Sequence, residues 1–480
     1  MLLAKLPSST LSALTEYSSK HAFSNPHPHP ISLYLISFLT FSLSLSLPRN
    51  HVYRCDTLTF ADSNVSRCIF RYATVNKDTI QLDPSHPFNQ SSLHCSSYRF
   101  PTPPYCTVDR TQNLLNGGEY VKNAILLRPL NTHNYSHGIF DDLLSIVRGL
   151  VDAIALTLFP SLTPSSLTHR EVRAAFNALT REEWHIYLLD DHLLPQVREV
   201  YTLLLPKAKI FTRPQIPLSF VRMLVVGTGG ICPNHGHCPR DILDHYDDGF
   251  IPMLVRNTIL KNSGVVTRDF EVTRPHCPKV TIVQRKGSRK IQNIKEIENY
   301  VRKPCQQSSV QVIQLEIRSG AEQATLFHQT DIAIYVHGGA MANVLFLPAG
   351  AAFLQINPYG MHSLFHPYII NVADAYRQLN LTFDTIETFD GRLQSLETPC
   401  PLIGFHECAT HHFDRLFSMT VDMEQFREKY NDVLQKWRAG EATDPLLWRR
   451  HLTEDEVFGM FSAGKEMFEK YTVGNKDLGR

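Results

Sequence analysis

An α/β fold built on parallel sheets is what this 480-residue sequence predicts. Short apolar runs rich in β-branched residues recur along the chain, and longer segments of helical period stand between them. Strands separated by helices make parallel sheets with crossover connections. Composition bounds the class: 43% of the residues are hydrophobic and 19% charged, enough to fill two cores and too apolar for a disordered tail protein. The 47 Lys and Arg nearly cancel the 46 Asp and Glu, so no overall cationic field is present to hold nucleic acid. The 29 Pro and 23 Gly are scattered, which excludes a collagen-like array.

Taken in chain order, residues 1–30 read as a cytoplasmic segment, and 31–47, ISLYLISFLTFSLSLSL, form an uncharged run of about membrane-spanning length. Lys5 and Lys20 precede it, and Pro48 and Arg49 close it. The order predicts an uncleaved signal anchor or a late signal peptide, with the rest of the chain lumenal. Ten cysteines, among them Cys95 near Cys106 and Cys400 near Cys408, suit local staples in an oxidising compartment. Sequons at Asn64, Asn89, Asn134 and Asn380 are compatible with that location, the endoplasmic reticulum or Golgi. Residues 48–110, rich in Cys, Ser and Pro, read as an irregular disulfide-stapled lead-in.

Residues 111–265 form a first Rossmann-like lobe with strands in AILLRPL (124–130), HIYLLD (185–190) and MLVVG (223–227), and a helix over 140–159. Residues 266–385 repeat the logic with VTIVQR (280–285), VQVIQLE (310–316), DIAIYV (331–336) and AAFLQI (351–356), separated by helical patterns at 293–304, 320–329 and 340–347. Such a doubly wound sheet holds ligands beyond the carboxyl ends of its strands, here just after Arg285, Glu316 and Val336. The tail, 386–480, is polar and helical and is expected to pack back on both lobes.

Three segments could carry chemistry. HGGAMANVLFLPAG (337–350) follows a strand; its glycines allow close backbone approach, and a helix opening near Ala340 would aim N–H groups at a diphosphate, with His337 as a further donor. A tight strand-to-helix turn explains the same residues. RKGSRKIQN (285–293) gathers Arg285, Lys286, Arg289 and Lys290, cations able to neutralise a leaving diphosphate, or simply a solvated basic turn. After the strand at 124–130 come His133, Asn134 and His137, then Asp141 and Asp142. His137 and Asp141 stand four apart on one helix face, a combination fit for a general base, although a carboxylate that merely caps a helix fits too. CPNHGHCP (232–239) has metal-ligand residue types in a spacing that suits a disulfide loop better than zinc, and GTGG (227–230) is an incomplete dinucleotide fingerprint. No D-x-D, the usual metal bridge to a nucleotide sugar, occurs in the chain.

NYSHGIFDDLL (134–144), the R-x-x-x-R-x-I-x-N run from Arg285 to Asn293 and DIAIYVHGGAMANVLFLP (331–348) together resemble the hallmark segments of glycosyltransferase family 61, a family that includes N-acetylglucosaminyl- and xylosyltransferases. The resemblance implies a GT-B fold of two Rossmann-like lobes facing a cleft, a single-pass type II membrane protein and a UDP-sugar donor. It also implies inversion at the anomeric carbon onto a glycan or glycoprotein acceptor. By the same resemblance Asp141 is the base with His137 beside it, and Asn134 shapes the acceptor side. Arg285, Arg289, Asn293, His337, Gly338 and Gly339 hold the donor. No cofactor is required, no metal site is assigned and manganese is not favoured. H-G-G-A replaces the family's usual H-G-A-G or H-G-A-A, and no fibronectin-like domain follows residue 390. A catalytically inactive relative that binds a nucleotide sugar or glycan, and a metal-dependent hydrolase centred on Cys232 to Cys238, are the rival readings.

Overall fold

The computed structural model describes residues 53–60, 63–76, 79–82, 92–94, 105–109, 118–129, 133–159, 161–162, 166–227, 249–266, 274–275, 277–287, 289–303, 310–357, 378–387 and 418–443. The chain divides into the units Met1–His51 and Val52–Arg480, and all of these residues belong to the second. The apolar run at 31–47, the loop from Cys232 to Cys238 and the side chains of the Cys95–Cys106 and Cys400–Cys408 pairs lie outside them. Among the described residues no helix is long and apolar enough to cross a membrane. Cys68 and Cys277 are disulfide-bonded.

The first sheet contains β1 (Tyr53–Phe60), β2 (Ser63–Asn76), β3 (Thr79–Gln81), β4 (Ser92–His94), β5 (Tyr105–Asp109), β6 (Glu119–Leu127), β7 (His185–Leu188), β8 (Lys209–Thr212) and β9 (Ser219–Val226), in the order β4-β5-β3-β2-β9-β6-β7-β8 with β1 paired to β2. β9, β6, β7 and β8 run parallel. Their hydrophobic runs are continuous because both faces are covered: all four residues of β7 and the last five of β6 are buried. The lead-in expected to be irregular supplies strands instead. β2 pairs antiparallel with β9 from Cys68↔Val226 to Val75↔Ser219, so Ile69, Phe70, Ala73 and Val75 join the core. Its Cys, Ser and Pro content hid that alternation.

A π-helix, His137–Leu143, runs directly into α1 (Leu144–Leu158), where the sequence suggested one helix from 140. α2 (His169–Arg181) opens with a Thr168–Glu171 capping box and buries Val172, Ala175, Phe176 and Leu179, the spacing of a one-sided helix. α3 (Pro195–Leu204) starts on Pro195, whose missing N–H costs nothing there, and α4 (Phe250–Asn262) follows later in the chain.

The second sheet is formed by β10 (Val280–Val283), β12 (Val310–Ile313), β13 (Ile332–Val336), β14 (Ala352–Asn357) and β15 (Thr382–Glu387), all parallel, in the order β12-β10-β13-β14-β15. β15 is one strand beyond the four foreseen. β11 (Lys290–Ile291) pairs with β16 (Ser418–Met419) beside it. α5 (Ile294–Arg302) and α6 (Gly320–His328) fall where expected. α7 (Met423–Ala439), capped by Asp422 and closed by Gly440, buries Phe426, Tyr430, Val433, Leu434 and Trp437 against Ile282, Ile334, Val336 and Leu354. The described part of the tail therefore packs on the second sheet.

One apolar cluster joins elements of the two sheets: Val197 and Val200 of α3 belong to it together with Ala324 and Phe327 of α6 and Tyr335 of β13.

Candidate functional site

Strand order reverses once in each parallel set, between β6 and β9 in the first and between β10 and β13 in the second. Connections leave a sheet in opposite directions at such a point, which opens a crevice at the strand carboxyl ends. The segments after β6, β10 and β13 are the three singled out in the sequence.

After β13 the His337 carbonyl accepts hydrogen bonds from Arg289 Nη1 at 2.9 Å and, at the limit of such a bond, from Arg285 Nη1 at 3.5 Å. Two guanidinium groups thus converge on one neutral oxygen, an arrangement that an anion would complete. Arg285 is half-buried, and its Nε is buried with no hydrogen-bond partner. Burial pulls the Arg285 guanidinium below its ordinary value and Glu316 opposes the shift, yet an arginine stays charged at neutral pH. Lys286 N–H donates to Glu316 Oε1 at 3.2 Å, which ties the basic turn to the end of β12. Arg289 holds φ at 60°, a conformation that costs a non-glycine residue about 1–3 kcal/mol and that clusters at functional sites.

Gly338 has φ 143° and ψ −152°, and a Cβ there would collide with Arg285 Nη1 and stand 3.2 Å from Arg289 Nη1. Only glycine admits both cations so close to the main chain. The helix that follows, Gly339–Phe346, is 3₁₀ where an α-helix was expected. Every residue from Met341 to Phe346 is buried, and the segment is confined against α4 and α6, which favours the narrower winding. Its first bond runs from Met341 N–H to Gly338 O, so the N–H groups of Gly339 and Ala340 stand ahead of the ladder.

His337 is 5% exposed, and its Nδ1 lies 3.2 Å from Gln355 Nε2. Both ends of the Asn293 amide are used by Val421, donating to its carbonyl at 2.8 Å and accepting from its N–H at 3.0 Å. Asn293, which the resemblance implies at the donor, thereby braces the far end of the basic turn.

From the first sheet, Asn134 Oδ1 accepts from Ser136 N–H at 3.0 Å and lies 3.7 Å from where a Cβ of Gly339 would be. Tyr135 Cβ is equally close to that point. Asn134, Gly338, Gly339, Arg285 and Arg289 are therefore neighbours across the two sheets. His137, half-buried, opens the π-helix that contains Asp141; the Asp141 side chain lies outside the described part of the structure. The first helical residue is Tyr135, so Asp141 is not in the first turn and the capping explanation for it falls. Asp142 is fully buried, and Tyr201 is held well above its ordinary value by burial and then by Asp142.

Sequence reasoning missed residues that hold the halves together, on α3 and on α4, where Arg256 Nη2 donates to Leu347 O at 2.8 Å. From α3, Gln196 Nε2 donates to Glu316 O at 3.2 Å and the Glu199 carboxylate accepts from Gly320 N–H at 2.7 Å and Ala321 N–H at 3.4 Å, while within the first half Tyr201 OH donates to Gly138 O at 3.3 Å. Ser319 and Glu322, spaced as a capping box, mark the start of α6 in the sequence, but nothing there shows that a carboxylate 121 residues earlier completes it. Buried Tyr135 has no hydrogen-bond partner for its hydroxyl, and burial, then Glu199, raises its pKa. Among the described residues no group of three or more His, Cys, Asp and Glu could hold a metal ion.

The fold and site define an α/β protein with cations and a glycine turn at the reversal points of its parallel strands. The model of the family Glycosyltransferase 61 matches residues 135–354, from Tyr135 beside Gly339 to Leu354 in β14. The match supports membership of glycosyltransferase family 61, and that family indicates a glycosyltransferase. No curated protein matches the chain at a significant level.

Proposed function

We propose that the protein is an inverting glycosyltransferase of GT-B type that transfers a sugar, GlcNAc or xylose, from a UDP-sugar to a glycan or glycoprotein acceptor. In this reading 31–47 anchors it in the Golgi or endoplasmic reticulum membrane and the folded unit is lumenal, in keeping with the disulfide-bonded Cys68 and Cys277. The observation that carries the reading is the convergence of Asn134 and Tyr135 from the first sheet on Gly338, Gly339, Arg285 and Arg289 from the second.

In the mechanism, Asp141 takes the proton of an acceptor hydroxyl, with His137 alongside and Asn134 on the acceptor side. The hydroxyl oxygen attacks the anomeric carbon from the face opposite UDP, and the bond to the diphosphate oxygen breaks with its electron pair. Arg285, Arg289 and the N–H groups at Gly339 and Ala340 stabilise the charge that develops there. This arrangement supplies positive charge without a metal, and the UDP-sugar is a co-substrate rather than a cofactor.

A thermal-shift panel of UDP-GlcNAc, UDP-xylose, UDP-arabinose and UDP, with and without manganese, tests donor class and metal dependence together. Asp141→Asn should keep the shift with UDP and lose transfer. Wild-type transfer by Asp141→Asn removes Asp141 from the role. Saturable UDP binding with neither transfer nor donor hydrolysis by the native protein makes it a binding relative.

A further inference from the structure

We propose that Gln355 is a positioning residue that fixes the His337 ring in the form carrying its proton on Nε2, so that the donor side of the site presents a neutral imidazole N–H. The part of this that concerns the ligand rests on the function proposed above. Gln355 and Asn357 lie beyond the residues matched to the family, 135–354.

β13 and β14 are adjacent and parallel, and His337 N–H donates to Ile356 O at 2.9 Å, which sets His337 beside the end of β14. Gln355 and Asn357, two apart on one face of that strand, are both fully buried. In a strand otherwise occupied by apolar side chains, an apolar residue at 355 would remove a desolvation cost. The amide there has a specific use. Gln355 Nε2 lies 2.7 Å from Asn357 Oδ1 and 3.2 Å from His337 Nδ1. An amide nitrogen only donates, so one hydrogen goes to Asn357 and the other to Nδ1, which must accept it. The ring proton then resides on Nε2, on the far side of the imidazole from Gln355.

Gln355 Oε1 is buried without a hydrogen-bond partner. Such an atom costs about 1–3 kcal/mol, which is tolerable where the N–H groups of the same amide do the positioning. Protonating Nδ1 would turn hydrogen against hydrogen. The main chain of the turn and its side chain are thus fixed by separate groups: the arginines hold the His337 carbonyl, and Gln355 holds the ring.

The test begins with the native full-length chain labelled with ¹⁵N-histidine. The His337 resonances, assigned by their loss in His337→Gln, should show an unprotonated Nδ1 and a protonated Nε2 at neutral pH. A proton on Nδ1, or an imidazolium, overturns the proposal. Gln355→Leu, of similar size, should lose the tautomer preference and weaken UDP binding by about tenfold, the value of one hydrogen bond to a charged group. An unchanged spectrum together with unchanged UDP affinity in that variant also overturns it. If Gln355→Leu fails to fold, the native spectrum decides alone. If native protein does not bind UDP, the proposed function fails while the tautomer is still read from the spectrum.

Discussion

At Gly320 α6 lies tight against α3, and Gly320→Ala tests that packing. A Cβ at Gly320 would lie 2.7 Å from Gln196 O and 2.7 Å from Val200 Cγ2. Both neighbours belong to α3, and the first is main chain, which cannot turn away. Contact of ordinary length begins near 3.4 Å, so α3 and α6 must separate by about 0.7 Å. Overpacking of this kind costs about 1–3 kcal/mol. The same displacement stretches the 2.7 Å bond from Gly320 N–H to the Glu199 carboxylate, a charge-assisted bond worth about 1.5–3 kcal/mol when intact. Against this, alanine in a helix gains at most about 1 kcal/mol over glycine. The net expectation is a loss of roughly 2 kcal/mol. Equilibrium urea unfolding read by tryptophan fluorescence measures it, because Trp184 reports on the first sheet and Trp437 on the second. A variant as stable as the native protein, or more so, would refute the claim that Gly320 is required by close approach.

Gly338→Ala should abolish measurable UDP binding by isothermal titration while the protein stays folded, since the new methyl displaces Arg285 Nη1; retained affinity would remove the turn from the donor site. Trp437→Ala, which empties a fully buried site between α7 and the second sheet, should destabilise by about 3–5 kcal/mol in the same unfolding assay. Burial, opposed by Glu119 and reinforced by Lys209, holds His185 below its ordinary 6.5. The unfolded chain therefore takes up this proton first, so stability should fall as pH drops below about 6.5, and His185→Gln should flatten that limb. The lowered carboxylates of Glu171, Glu183 and Glu298 act only below their ordinary 4.5, which separates the two effects. Asn134, whose Oδ1 is engaged by Ser136 N–H beside Gly339, should carry no glycan in protein made by a secretory host, as read by peptide mass spectrometry.

The sequence determined the strands whose apolar runs are unbroken and the parallel class that follows from their alternation with helices. That Arg285, Arg289, His337, Gly338, Gly339 and Asn134 sit in short segments after strands was legible in the same pattern. β2 was not, since its Cys and Ser content masks a period that only pairing with β9 reveals. β15 and the 3₁₀ winding of Gly339–Phe346 likewise depend on what lies beside them. Tertiary structure alone decided that Asn293 braces Val421, that Glu199 caps α6, and that Gln355 meets the ring of His337. Local pattern reports the preferences of neighbouring residues along the chain, whereas a hydrogen bond between groups 121 or 128 residues apart exists only after packing has placed both.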